Sequence, residues 1–144
     1  ESHIAQMLAA GHRVIHISSH SFTPELNGEV RNNDIGLLYD PARHAEAELC
    51  SLWKSALRVQ AHGLKTRFNY PYTGTADGFN VYLRRRFGAD RYLGFEVEIN
   101  QKHVFMGAQH WRAVRAALME SLRAALMEGL RGTQATFAGN SVKP

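Results

Sequence analysis

Three short segments of this chain carry side chains whose types and spacing could do chemistry. The first is His16-Ile17-Ser18-Ser19-His20-Ser21-Phe22-Thr23-Pro24. A β-branched run delivers a histidine to the start of a loop, and in open α/β sheets ligands gather at the carboxyl ends of strands. A histidine placed there serves as a metal ligand or a general base. His16 and His20 lie four residues apart, about 13 Å on an extended strand, too far to share one metal; His20 is therefore the candidate. The second segment is Glu96-Val97-Glu98-Ile99-Asn100-Gln101. Carboxylates at i and i+2 fall on one face of a strand. Burial in so apolar a run would raise a carboxyl pKa and prepare a general base or acid; the plainer explanation is the solvated face of an edge strand. The third runs from Arg67 through Asn69, Tyr70 and Tyr72 to Asp77-Gly78. Arginine forks match carboxylates in bidentate fashion, whereas the plainer explanation is a turn whose aromatics pack on the core.

The elements that must position these residues follow from periodicity. Residues 3–10 predict the end of a helix, closed by Gly11. Residues 13–19 predict a buried strand, and 22–33, with Pro24, Asn27-Gly28 and Asn32-Asn33, a loop. Residues 35–39 predict a second strand. Asp40-Pro41 reads as a helix start, cap then first position, with a helix to about Ala61. A strand over 65–69, a turn-rich loop over 70–78, a short helix over 79–87 and a strand over 92–99 follow. A long helix over about 107–131 carries Trp111, Val114, Leu118, Leu122, Leu126 and Leu130 along one side. The rest, 132–144, predicts a flexible tail. Arg84, Arg85 and Arg86 read as a solvated helix face, and Cys50 as a structural residue. Strands alternating with helices indicate an α/β sheet that is at least partly parallel.

Composition sets the outer limits. A chain of 144 residues with 44% hydrophobic and 21% charged content suits one domain, here 1–131 plus the tail, with a core of its own. One cysteine forms no internal disulfide and suits a reducing, cytoplasmic setting. No apolar run approaches the ~20 residues that span a bilayer, and Glu1-Ser2-His3 does not resemble a signal peptide. A net charge of +4 is a mild excess that suits an anionic small molecule. A nucleic-acid module concentrates its charge more than this chain does.

HISSHSFTPELNGEVRNNDIGLLYDPAR, then RFNYPYTGTADGFNVYLRRRFG, then YLGFEVEINQ, together resemble the N-formylglutamate amidohydrolase family across residues 14–101. The resemblance implies a three-layer α/β/α fold with a mixed, partly parallel sheet, akin to zinc carboxypeptidases and phosphorylase/hydrolase-like folds. It implies one zinc and hydrolysis of an N-acyl amino acid, in the named case to formate and glutamate. His20 matches the histidine that closes the zinc-ligand set. Glu98 matches the catalytic glutamate through Glu-Ile-Asn-Gln; Glu96 is the competing register, and both remain open. Arg31, Arg67, Asn69 and Tyr72 are the substrate-contact candidates, and Asp77 belongs to the loop that would border the site. The family's first two zinc ligands come from a segment upstream of this match, where only Glu1 and His3 stand nearby and do not resemble its motif. The resemblance therefore implies a chain lacking the N-terminal part of the family domain, with doubtful zinc binding alone. A sheet edge or apolar face left exposed in this way favours a homodimer. The alternative function is a catalytically incomplete member acting as a binding or assembly domain.

Overall fold

A computed structural model describes residues 1–139. The chain runs α1 (Ser2–Ala9), β1 (Val14–Phe22), β2 (Glu25–Leu26), β3 (Glu29–Val30), β4 (Ile35–Leu38), α2 (His44–Gln60), β5 (Thr66–Phe68), α3 (Phe79–Arg86), β6 (Tyr92–Asn100), α4 (Lys102–Phe105) and α5 (Ala108–Gly139). Four strands form one sheet in the order β1-β6-β4-β5. β1 and β6 are parallel, β6 and β4 antiparallel, β4 and β5 parallel. The α/β architecture with a mixed, partly parallel sheet is the one expected.

The alternation along β6 sorts the molecule into layers. Leu93, Phe95, Val97 and Ile99 point to one face. They bury with Ile35 and Leu37 of β4, Leu49, Trp53 and Leu57 of α2, and Val114, Leu118 and Ala125 of α5. The indole N–H of Trp53 donates to Ser121 Oγ at 2.9 Å, so the two helices of this layer share a buried polar bond. The opposite face carries Tyr92, Gly94, Glu96, Glu98 and Asn100. Its amino-terminal end is covered by α1 and α3, where Leu8, Val14, Leu83 and Tyr92 form a second small core. Its carboxyl-terminal end holds the two acids.

β4 and β6 separate after the pair Leu38–Glu96. The gap is spliced by the carboxylate of Glu46 from α2, which takes the Asp40 N–H at 3.1 Å on Oε2 and the Gly94 N–H at 3.0 Å on Oε1. Arg84 of α3 meets the same carboxylate in bidentate fashion, Nε to Oε1 at 3.1 Å and Nη2 to Oε2 at 2.9 Å. Its guanidinium also donates to the carbonyls of Gly74 and Gly94. Arg43 adds bonds to the carbonyls of Tyr92, Arg84 and Phe87, closing the end of α3. One buried cluster thus joins α2, α3, β6 and the loop over 69–78.

Several local expectations change. Arg84 is buried, not part of a solvated face, because Asn80, Leu83 and Arg84 share the inward side of α3. The helix expected from Pro41 begins at His44; residues 40–43 form a turn in which Asp40 Oδ1 accepts the Ala42 N–H at 3.0 Å. The strand expected over 13–19 continues to Phe22, so His20 lies inside it. That strand is mostly half-exposed or exposed, not buried, because it stands at the sheet edge among the described residues. The loop over 22–33 contains the β2–β3 hairpin, with Asn27 and Gly28 at φ 52° and 81° supplying its turn. α4 was not expected. The helix expected to end at about 131 runs on to Gly139, and residues 140–144, the rest of the expected tail, lie outside the described residues.

Glu46 is wholly buried, so removing its charge strands Arg84 in the interior. Truncating one partner of such a pair costs about 3–5 kcal/mol. Glu46→Ala is expected to lose that amount in urea denaturation, while the exposed Arg85→Ala, on the same helix, changes stability by less than about 0.5 kcal/mol.

Candidate functional site

The parallel register of β1 and β6 pairs Ser18 with Glu96 and His20 with Glu98. Strand alternation puts all four side chains on the face opposite the main core. The sequence-predicted histidine and both candidate acids are therefore neighbours, contributed by the carboxyl-terminal halves of two parallel strands. β6 is a central strand, so the solvated-edge explanation of the two carboxylates does not hold.

The two acids sit in different surroundings. Glu96 borders a cleft of about 310 Å³ with Ser18, His20, Leu38, Tyr72, Asp77 and Phe79. Its Oε1 accepts from Asn80 Nδ2 at 3.4 Å, and the same nitrogen reaches Ser18 Oγ at 3.4 Å. The amide is oriented from behind: the Tyr92 hydroxyl donates to Asn80 Oδ1 at 3.2 Å and pairs with His16 Nδ1 at 2.9 Å. Since that hydroxyl spends its proton on Asn80, His16 must donate through Nδ1–H. Burial lowers the His16 pKa, favouring this neutral ring.

Glu98 is only 5% exposed, and its Oε2 has no hydrogen-bond partner. Burial raises its pKa, opposed by the charge of His20, reinforced by Glu96 and opposed again by Arg31. Gly36 of β4, directly across from Glu98, makes room for this arrangement. A Cβ there would stand 2.1 Å from the Tyr70 carbonyl oxygen and 3.2 Å from Glu98 Cβ. The loop over 69–78 can therefore lie close over β4 only because residue 36 lacks a side chain.

The remaining candidates divide. Arg31 is 9% exposed; its Nη1 donates to the Tyr72 hydroxyl at 3.2 Å, and its guanidinium sits 5.3 Å from the Tyr72 ring centre. Tyr72 and Asp77 border the cleft beside Glu96. Asn69, at φ 47°, turns its Oδ1 to the N–H groups of Tyr39 and Gly74, at 3.1 and 3.0 Å, and so shapes the loop. Arg67 is exposed and stacks on Tyr70 with 4.1 Å from guanidinium to ring centre. Cys50 is buried with its thiol pKa pushed up by burial, in keeping with a structural residue.

Zinc in a catalytic site takes three protein ligands and a water. Among the described residues no group of three or more His, Cys, Asp or Glu side chains could hold a metal. His20 is a fitting single donor, but these residues alone do not fit a catalytic zinc. Among the same residues no helix is long and apolar enough to cross a membrane.

The model of the N-formylglutamate amidohydrolase family matches residues 1–106. The chain belongs to that family. Its fold is similar to the crystal structure of gene product Atu2144 from Agrobacterium tumefaciens, with a TM-score of 0.68 and 29% sequence identity. The similarity covers 87% of this chain and 46% of that one, so this chain spans less than half the length of that relative. No curated protein matches the chain. The match spans His20, both acids and the cleft loop.

Sequence reasoning missed Asn80, Tyr92, Arg84 and Glu46. A usable signal existed for Asn80 and Arg84. They fall at i and i+4 on the side of a short helix that also carries Leu83, the pattern of an inward face. Nothing in the local sequence pairs Glu46 with Arg84, which lie 38 residues apart.

The raised pKa of Glu98 gives a signed expectation. A carboxyl whose folded pKa exceeds its ordinary 4.5 adds stability below that value and loses it as pH rises through the folded value. Glu98→Gln removes the charge and nearly keeps the shape. The variant is expected to match wild type near pH 4 and to be the more stable of the two at pH 7, read from urea midpoints at both pH values. A variant less stable at pH 7 than at pH 4, relative to wild type, would contradict a destabilising buried charge.

Proposed function

We propose that this chain carries the base-bearing part of a hydrolase of N-acyl amino acids, of the N-formylglutamate type. The observation that carries the reading is the pairing of His20 with Glu98, whose buried carboxylate has an unpartnered oxygen. Family membership supplies the reaction class, hydrolysis of an amide C–N bond. In this reading Glu98 accepts a proton from the attacking water and delivers it to the departing amine, as a general base with a raised pKa can do. The new bond joins water oxygen to the acyl carbon, and the bond to nitrogen breaks. Glu96, held by Asn80, lines the cleft as an oriented polar wall. Arg31 and Tyr72 act together on an anionic group of the substrate, with the Tyr72 hydroxyl carrying the influence of the buried guanidinium to the cleft. Asp77 borders the substrate, Asn69 shapes the loop over it, and Arg67 offers a second cation at the surface.

Zinc belongs to the proposal with His20 as one ligand. Bound there, zinc would supply Lewis acidity and a more acidic water. The set is incomplete among the described residues, so its other ligands must come from elsewhere. That incompleteness is the specific observation favouring a second reading, a binding or assembly domain without turnover of its own.

The test is zinc content by elemental analysis after dialysis against metal-free buffer, followed by formate release from N-formylglutamate. The hydrolase reading expects zinc to be retained once the remaining ligands are supplied by further protein, and to disappear in His20→Ala under the same conditions. It expects Glu98→Gln to keep zinc and lose about 10²–10⁴-fold in rate. Neither zinc nor formate release even with the remaining ligands supplied would favour the non-catalytic reading. Full activity in Glu98→Gln would remove Glu98 as the base.

A further inference from the structure

Outside the cleft, three titratable side chains are linked end to end. Asp34 is buried, and its Oδ1 meets His103 Nε2 at 2.9 Å. His103, also buried, presents Nδ1 to His110 Nε2 at 2.9 Å. The two rings are 19° from parallel with centres 5.2 Å apart, so with nitrogens this close they meet edge to edge in nearly one plane. That is the geometry of an N–H aimed at a lone pair. It differs from two ligands converging on a metal, which would aim at a third point off the line between them.

The proton count is constrained. The Asp34 carboxylate is an acceptor, so His103 donates to it through Nε2–H. Neutral His103 then offers only a lone pair at Nδ1, and His110 must donate through Nε2–H. One added proton leaves this bridge intact, because either ring can carry the charge while a single hydrogen lies between the facing nitrogens. A second added proton puts a hydrogen on both facing nitrogens, and the bridge cannot survive.

We propose that Asp34, His103 and His110 form a shared-proton clasp that joins α4 to α5 and opens in acid when the histidine pair takes its second proton. The two rings straddle Gly107, whose φ of 100° makes the corner between α4 and α5. Without the bridge, α4 keeps its backbone link to α5 but loses the side-chain brace across that corner. The clasp also reaches the site side of the sheet. Asp34 takes Lys102 Nζ at 2.5 Å and the Lys65 N–H at 2.6 Å. Its carbonyl accepts the Asn100 N–H at 2.9 Å, and the Asn100 amide donates to the carbonyls of Arg31 and Asn33. The turn that carries Arg31 is thus braced through Asp34.

The charged and titratable groups facing His103 are Asp34, Lys102 and His110. Burial lowers the His103 pKa, opposed by Asp34 and assisted by Lys102 and His110. Burial pushes the Asp34 carboxyl up, yet bonds from Lys102 and Lys65 outweigh it and its pKa falls below the ordinary value. The carboxylate therefore stays charged as the histidines titrate.

The test is a pH titration of the whole chain by ¹⁵N imidazole NMR, with amide exchange of residues 102–107 measured in parallel. We expect two coupled steps for the pair. Amide exchange should stay slow through the first and rise about tenfold beyond its intrinsic pH trend through the second. In His110→Ala, His103 should titrate in one step, and the same amides should already exchange about tenfold faster at neutral pH. Two histidines titrating independently in wild type would overturn the proposal, as would exchange unchanged through the second step. Should His110→Ala not fold, the tautomers of the wild-type rings decide: Nε2–H on both neutral rings is required, and Nδ1–H on neutral His103 overturns it.

Discussion

The buried ion pair of Glu46 and Arg84 is the constraint on which the site depends. Its placement answers a backbone problem. β4 ends at Leu38 while β6 has begun at Tyr92, so the Gly94 N–H faces no strand partner. A buried donor left without an acceptor costs about 1–3 kcal/mol. Glu46 supplies the acceptor, and its charge in turn requires a cation in the same dry interior. Arg84 meets that requirement and has donors to spare for the Gly74 and Gly94 carbonyls. The loop bordering the cleft is thereby tied to the strand that carries both acids. Such pairs add little net stability over an apolar core; what this one contributes is a defined position for that loop.

The two faces of β6 show how one strand serves both stability and chemistry. Its odd-numbered residues are apolar and pack on α2 and α5. Its even-numbered residues change character along the strand, from Tyr92 under α1 and α3 to Glu96 and Glu98 beside His20. The acids differ because their neighbours differ. Asn80 offers Glu96 a donor, and the cleft offers it solvent. Glu98 lies under the Tyr70–Gly36 contact with one oxygen lacking any partner, so its charged form is disfavoured. Two carboxylates with environments this unlike are suited to different tasks.

Much of this was legible in the sequence. The i, i+2 spacing put both acids on one face, and strand period 2 makes that conclusion independent of any partner. The order of helices and strands indicated the sheet class, and the assembled motifs indicated the family. What failed did so where tertiary contacts override local pattern. Three consecutive arginines look alike in sequence, yet only Arg84 turns inward, because it shares a helix side with Asn80 and Leu83 and meets Glu46 there. His20 was placed just beyond a strand, because the β-branched run gives way to Ser18-Ser19, whereas pairing with β6 extends β1 to Phe22. The helix after Asp40-Pro41 starts late, because Asp40 gives its N–H to Glu46 and its side chain to a turn.

The sequence by itself determined the fold class, the family, and the shared face of Glu96 and Glu98. These rest on composition, periodicity and contiguous motifs, which need no knowledge of distant neighbours. Only the tertiary structure decided that His20 stands opposite Glu98, that Asn80 serves Glu96 and leaves Glu98 with an unpartnered oxygen, and that Asp34, His103 and His110 join in a chain. Each of these depends on register and packing between segments far apart in sequence, where a shift of one residue would turn every side chain of a strand to its other face.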